Sequence, residues 1–333
     1  MGNATAVVLL GSRTPGSRWP LRDTPPALAP IANRAVLVHQ IEALTRLGLG
    51  QIAVAGDAIS AERAYEALRL AGVDPQTVHY VSLGAIDGRV PLALAANYLA
   101  ADCPLVLIEP GTLPGPDMAK VVDRVSRDPC KAVIISLHTS GETGARTSLA
   151  ATVIGSSALA ALADADASAL LTSADVAETL RRQGIQPLEW SPRGAWLKIE
   201  HAESLLEANR VYLDLLAAGD PAACAQRSDV QGAVIVHETA TLDYATVRGP
   251  AIIGAGAFVA DSHIGPYTSL GEDAVVDDAD IECCIVCSNA IVRELRARLQ
   301  DSVIGSSAVV TQEPQDQRAL RLTVGEDARI SLP

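Results

Sequence analysis

Aromatic side chains make up only 3% of this 333-residue chain, with a single phenylalanine, three tryptophans and six tyrosines. Folds cored by aromatic rings, such as many sandwiches, are therefore disfavoured. The 49% of hydrophobic residues must fill the cores as Ala, Val, Leu and Ile, a supply that suits α/β layers and β-helices. Long apolar runs are missing too. None reaches the length of a membrane span, and no N-terminal stretch joins a basic start to an apolar core and a cleavage site, so a cytoplasmic protein without a membrane partner is expected. Positive charge is scarce: 26 Lys and Arg face 39 Asp and Glu, a net charge of −13. That argues against nucleic acid and anionic membrane surfaces, which attract basic patches, and any anionic ligand must be held by a local group of cations. Six cysteines in a chain this long do not make a disulfide scaffold. Cys103, Cys130 and Cys224 are scattered, and the one cluster, Cys283-Cys284 with Cys287, lacks a fourth ligand at regular spacing, so thiol packing is expected there and no metal site.

What the chain does have begins at residue 6. Ala6-Val-Val-Leu-Leu10 reads as a strand buried on both faces, the Gly/Pro-rich segment after it as a loop, and Ala35–Gly48 resumes at helical spacing. The loop carries Gly11, Ser12, Arg13, Gly16, Ser17, Arg18 and Arg22, with no acidic residue before Asp23. Glycines let backbone N–H groups approach an anion and the arginines supply charge-assisted hydrogen bonds, so these seven residues are the candidate ligand-binding set. On glycines and arginines alone, a phosphate cradle and a solvated basic turn stand about even.

Strands and helices then alternate. Gln51–Gly56, Val78–Leu83, Leu105–Glu109 and Lys131–Leu137 read as strands, and Ala61–Ala71, Pro91–Ala100 and Asp117–Arg127 as helices. This implies an α/β fold with a doubly wound, mostly parallel sheet, whose ligands bind beyond the carboxyl ends of the strands. Glu200–Gly219 reads as an amphipathic helix stopped by Gly219 and Pro221, and Asp220–Asp229 as a linker, so the domains are placed at 1–222 and 230–333.

From Ala233 an apolar residue recurs about every sixth position, at Ile235, Val247, Ile253, Val259, Ile264, Leu270, Val276 and Ile281. Two residues earlier stands a small one each time: Ala233, Ala245, Ala251, Ala257, Ser262, Thr268, Ala274 and Ala279. Tight corners of a triangular coil require this, and the second domain is read as a left-handed parallel β-helix, interrupted at Arg293–Leu299 by a loop or short helix. His237 and His263 are read as outward-facing solenoid residues.

The opening segment also resembles a family signature. Gly16-Ser17-Arg18, Pro20-Leu21, Pro25, Leu28, Pro30-Ile31 and Asn33-Arg34 fall in the order found in sugar-1-phosphate nucleotidylyltransferases of the glucose-1-phosphate thymidylyltransferase kind. Leu205-Leu-Glu-Ala-Asn-Arg210 is similar to the end of that catalytic domain, and Leu322–Ile330 to the tail of its long form. Departures are equally specific. The lysine that contacts nucleotide phosphates in the family falls on Pro26. The first magnesium aspartate falls within Glu109-Pro110-Gly111, where Glu109 alone offers a carboxylate, and the second, after Gly194-Ala195-Trp196-Leu197, falls on Lys198. The base-recognition segment, Ile86–Ala93, lacks its glutamine and has Pro91 for a glycine. In place of the hairpin that holds the sugar phosphate stands His138–Thr147, read as a polar loop in which His138, Glu142 and Arg146 could line a smaller pocket.

The resemblance implies a protein of sugar-nucleotide metabolism whose ligand is a nucleotide or a phosphorylated sugar. The departures imply loss of magnesium-dependent catalysis, no cofactor, and a ligand-binding or regulatory role as a homo-oligomer or as the partner of a catalytic paralogue. One alternative is an active enzyme joining a nucleoside triphosphate to a sugar 1-phosphate, with Mg2+ and a site rearranged around Arg18, Glu109 and Lys198. The other is a β-helix acyltransferase.

Overall fold

Every residue of Thr5–Leu9 is buried, and this strand lies inside a seven-stranded sheet. The computed structural model describes residues 4–11, 19–21, 23–49, 51–74, 78–82, 90–91, 103–141, 144–163, 170–171, 173–192, 195–216, 225–312, 322–326 and 328–332. The chain divides into two units: Met1–Pro15 with Pro25–Leu28 and Ala35–Ile199, and Gly16–Thr24 with Ala29–Arg34 and Glu200–Pro333.

In the first unit the strand order is Leu188–Trp190, Ala132–Gly141, Gly144–Ile154, Leu105–Ile108, Thr5–Leu9, Gln51–Gly56, Val78–Ser82. The last four are parallel to one another, whereas Gly144–Ile154 runs antiparallel to both its neighbours. Alternate side chains of the parallel strands enter two separate cores, as the pleat requires. Ala6, Val8, Val54 and Val106 pack with helices Val36–Arg46, Ala58–Leu70 and Met118–Ser126 through Leu37, Ile41, Leu68 and Val121. Val7, Leu9, Ala53 and Leu107 pack on the other face with Leu159 and Leu162 of Ser156–Ala163 and Val176 and Leu180 of Ser173–Arg182. The sheet is thus covered by helices on both sides, as its unbroken apolar strands demanded. Asp57 starts the second helix by accepting a hydrogen bond from the Ser60 backbone N–H at 2.8 Å.

One expectation is corrected here. His138–Thr147 is not a polar loop: Ala132–Gly141 and Gly144–Ile154 continue as a paired hairpin, with Thr147 opposite His138 and a register shift near Ala150. Backbone ladder bonds hold such a pair together whatever the side chains, which is why the apolar signal ended before the strands did.

The second unit contains helix Ala202–Asp214 and a solenoid of three parallel sheets. In the lower coils the strands climb by 17 residues per turn, Thr246 pairing with His263 and His263 with Asp280. Val247, Ile264, Ile281 and Leu299 stack inside on one side, Val259, Val276, Val292 and Val310 on another. The corners are left-handed at Tyr244, Asp261 and Asp278, at Gly256, Asp273, Asn289 and Ser307, and at Tyr267, Cys283 and Asp301. Asp, Asn and Gly dominate these columns because they tolerate that conformation best. In the first coil the hexad register is one residue later than expected: Val236 pairs with the buried Ile253 and Val234 with Ala251, so Ile235 is only half-buried. The interruption after Ile291–Arg293 is a loop, and Leu299–Gln300 resumes the stack.

Candidate functional site

In the first unit the chain steps from Thr5–Leu9 outward to Gln51–Gly56 and Val78–Ser82, then returns to pair Leu105–Ile108 on the other side of Thr5–Leu9. That reversal is a switch point, and the crevice beyond the carboxyl ends of these two strands is where open α/β sheets bind ligands. Gly11 leaves the first strand here and Glu109-Pro110-Gly111 leaves the second. At φ +84° Gly11 is left-handed, and a Cβ on it would lie 2.9 Å from Pro110 Cβ. Only glycine permits so close an approach.

Two short strands bring a distant segment to the same place. Thr112–Leu113 pairs antiparallel with Leu197–Lys198, and the Ile199 N–H donates to the Gly111 carbonyl at 2.9 Å. Lys198 Nζ therefore reaches the Pro110 carbonyl oxygen at 2.9 Å and Thr112 Oγ1 at 3.2 Å. Pro26, in the 3-10 turn Pro26–Leu28, closes on the same residues: a Cβ on Gly111 would lie 3.1 Å from Pro26 Cβ. The ring offers no donor or charge for a phosphate. Glu109 is half-buried, and its backbone N–H donates to the Ala150 carbonyl.

Three polar residues of this region carried no motif. Thr112 is fully buried beneath Lys198. Gln40, also fully buried, donates from Nε2 to the Thr112 carbonyl at 2.7 Å, and its Oε1 is buried with no hydrogen-bond partner among the described residues. Asp117 Oδ1 accepts from Trp196 Nε1 at 2.5 Å, which fixes the tryptophan just before Lys198. Only a buried glutamine within an apolar helix face could have signalled any of these.

The donor set does not fit a magnesium ion in the expected position. Mg2+ demands near-octahedral oxygen ligands, with carboxylates to balance its charge. Here Glu109 is the only carboxylate of residues 109–112 and 197–198, and the ammonium of Lys198 is already bound to the Pro110 carbonyl. Among the described residues no group of three His, Cys, Asp or Glu is arranged to hold a metal.

Of the candidate ligand-binding residues Gly11 is described; Ser12, Arg13, Gly16, Ser17, Arg18 and Arg22 lie outside the described residues, as do Glu142, residues 86–89 and 92–100. His138 uses both ring nitrogens at the hairpin, against Thr147 Oγ1 and Ser191 Oγ at 2.9 Å each. Within the second unit the far flank of the arginine loop is anchored: Glu326 accepts from the Thr24 hydroxyl at 3.0 Å and the Asp23 N–H at 3.3 Å, and Trp19 Nε1 donates to the Thr24 carbonyl at 2.6 Å.

In the solenoid His237 is exposed and bonded to Thr239, while His263 is half-buried in the stack between Thr246 and Asp280. Cys284 and Cys287 are buried free thiols, and burial pushes both up to about 12. Such thiols are poor nucleophiles and poor metal ligands.

Over 139 residues the chain is 37% identical to a glucose-1-phosphate thymidylyltransferase of Streptomyces griseus and 31% identical to one of Streptomyces antibioticus. The chain is a homologue of these thymidylyltransferases. Each match covers 42% of this chain, and the chain spans about two fifths, 39%, of the length of either relative. No protein-family model matches the sequence. The mixed α/β sheet followed by three stacked parallel sheets agrees with the long form of the sugar nucleotidyltransferases that the sequence resembles. For a thymidylyltransferase homologue, the two departures at Pro26 and Lys198 converge in space, both against the Pro110-Gly111 pair. No helix among the described residues is long and apolar enough to cross a membrane.

Proposed function

We propose that this chain is a sugar nucleotidyltransferase relative that binds a nucleotide or a phosphorylated sugar without catalysing magnesium-dependent nucleotidyl transfer, and serves as a regulatory or accessory subunit. The observation that carries this reading is the Lys198 ammonium on the Pro110 carbonyl, 2.9 Å away, where the resemblance places a metal-binding carboxylate. Nucleotidyl transfer depends on a positioned cation that offsets charge on the phosphates, and losing one such element costs on the order of a hundredfold or more. Pro26 removes a second phosphate contact from the same crevice. Binding itself needs neither feature. The arginines of the Gly11–Arg22 loop supply charge-assisted bonds, with Arg18 the foremost.

Titration calorimetry with thymidine triphosphate, thymidine diphosphate glucose and glucose 1-phosphate, paired with a pyrophosphate-release assay in Mg2+, tests the proposal. Binding without turnover is expected, and Arg18→Ala should weaken it by about 1.5–3 kcal/mol, the worth of a charged hydrogen bond. Turnover of about one per second or faster, the range of ordinary enzymes, would overturn it. That result would favour a second reading, an active transferase in which Lys198, already gathered among oxygen atoms, supplies the positive charge and Glu109 the carboxylate. Absence of binding to all three ligands would overturn both.

A further inference from the structure

The only phenylalanine of the chain is on the outside of the solenoid. Phe258 is 40% exposed although its neighbour Val259 is fully buried. In a protein so poor in aromatics this placement is not core filling. Pairing along the sheet extends Phe258 into a column: Phe258, Val275, Ile291 and Val309 follow one another on successive coils, each next to an inward valine, and each is left partly accessible. The other two sheets present different outer surfaces. One carries ion pairs, Arg248 with Asp229 and Arg298 with Asp280 and Glu282. The other is met by helix Ala202–Asp214, where Asn209 Oδ1 accepts from Ser269 Oγ at 2.8 Å. The corresponding column of that sheet is largely apolar as well, but its Ile285 and Val303 are buried, so the apolar column left accessible on successive coils is the one on the third sheet.

Beside it runs a second column, Asp243, Ala260, Asp277, Arg293 and Thr311, all accessible except the buried Ala260. Its charge is polarised, acidic in the lower coils and basic above. Asp277 and Arg293 occupy adjacent coils at its middle, and neither enters a salt bridge among the described residues.

We propose that this sheet is a self-complementary contact between two copies of the chain, with a two-fold axis running along the strands between Val275–Asp277 and Ile291–Arg293. Such an axis inverts the order of the coils while keeping each column opposite itself. Val275 then faces the partner's Ile291, and Phe258 faces the partner's Val309. Asp277 meets the partner's Arg293, and the reverse pair forms at the same time, so four charges alternate in a square. The small Ala260 meets Thr311. A single operation therefore satisfies the apolar column and the polarised column together, which is what an isologous interface requires. A two-fold axis along the solenoid through the same point would instead set Asp277 opposite the partner's apolar Val275 and lose the charge match. This contact does not depend on the reading of the ligand site.

Light scattering coupled to gel filtration of the full chain at tens of micromolar tests the proposal. An even number of chains is expected, and Phe258→Asp or Val309→Lys should halve the mass with an unchanged circular dichroism spectrum. Asp277→Arg and Arg293→Asp should each raise the dissociation constant tenfold or more. Combining them should bring it back to within about threefold of the parent, because the square of charges is rebuilt with its signs exchanged; this rescue does not hinge on either surface variant folding perfectly. A monomer, an odd-numbered assembly, a mass insensitive to Phe258→Asp, or a double reversal no better than the single ones would overturn the two-fold contact.

Discussion

The Lys198 ammonium and the Pro110 carbonyl oxygen are joined by a hydrogen bond of 2.9 Å, across 88 residues of chain. Together with the bond to Thr112 Oγ1 it ties Leu197–Lys198 to the turn at the end of the central strand. A cation at this point serves the fold whatever it does for a ligand.

Lys198→Met keeps much of the aliphatic stem and removes the donors. Hydrogen bonds from a charged group contribute about 1.5–3 kcal/mol, reduced where water competes for the half-buried ammonium. Urea unfolding should therefore show a loss of about 1–2 kcal/mol. A loss below about 0.5 kcal/mol, the range of ordinary surface changes, would mean that the ammonium is held by water.

Gly111 should be the least replaceable residue of the crevice. It adopts φ +66°, and a Cβ would lie 2.4 Å from the Ile199 carbonyl oxygen. Gly72 supplies the control, since it has φ +72° with nothing within 4 Å of its virtual Cβ. Gly72→Ala is expected to cost only the left-handed penalty of about 1–2 kcal/mol. Gly111→Ala adds a backbone clash that must displace the Ile199–Gly111 pairing, so about 3 kcal/mol or more is expected. Equal melting temperatures for the two variants would show that the crevice yields freely.

The architecture was legible in the sequence because burial on both faces leaves unbroken apolar strands, and because a triangular coil repeats its small corner residues. The approach of Lys198 to the turn that follows Glu109 was legible only through motif order, and the structure supplies its physical basis in the pairing of Thr112–Leu113 with Leu197–Lys198. Gln40 and Thr112 escaped notice because each acts through a partner more than seventy residues away. The hairpin at His138–Thr147 was hidden by polar side chains on a paired backbone, and the register of the first solenoid coil by the neighbouring apolar residues Val234, Ile235 and Val236, any of which suits an inward position.

Asn209 is fully buried and makes three bonds: Oδ1 accepts from the Ala32 N–H and Ser269 Oγ, each at 2.8 Å, and Nδ2 donates to the Tyr267 carbonyl at 3.3 Å. Asn209→Leu strands two buried donors and an acceptor. At about 1–3 kcal/mol for each unsatisfied group, and allowing for local relaxation, a loss of about 2–4 kcal/mol is expected. Ser269→Ala removes one donor together with its need, and about 1 kcal/mol is expected. Chemical denaturation that ranked the two variants in the reverse order would refute the network.

Cys284 and Cys287 make stability depend on alkaline pH. Burial raises both thiols to about 12, and Cys284 is further committed to its protonated form as a donor, from Sγ to the Glu282 carbonyl at 3.0 Å. An unfolded cysteine loses its proton near pH 8.5. Above that pH the unfolded chain releases two protons that the native chain keeps, so stability is full below about pH 8 and falls as the pH rises toward 12. The slope approaches about 1.4 kcal/mol per pH unit for each thiol once the unfolded group is ionised. Between pH 7.5 and 9.5 the pair should account for about 2–3 kcal/mol. Urea unfolding of the parent and of Cys284→Ala/Cys287→Ala at both pH values isolates this contribution, because every other titrating group is common to the two proteins. The parent should lose more stability than the variant over that interval, even though it is the more stable of the two at pH 7.5 for want of two small cavities. Parallel losses in both proteins would mean that the native thiols ionise as readily as the unfolded ones, and that water reaches the interior of the solenoid at these coils.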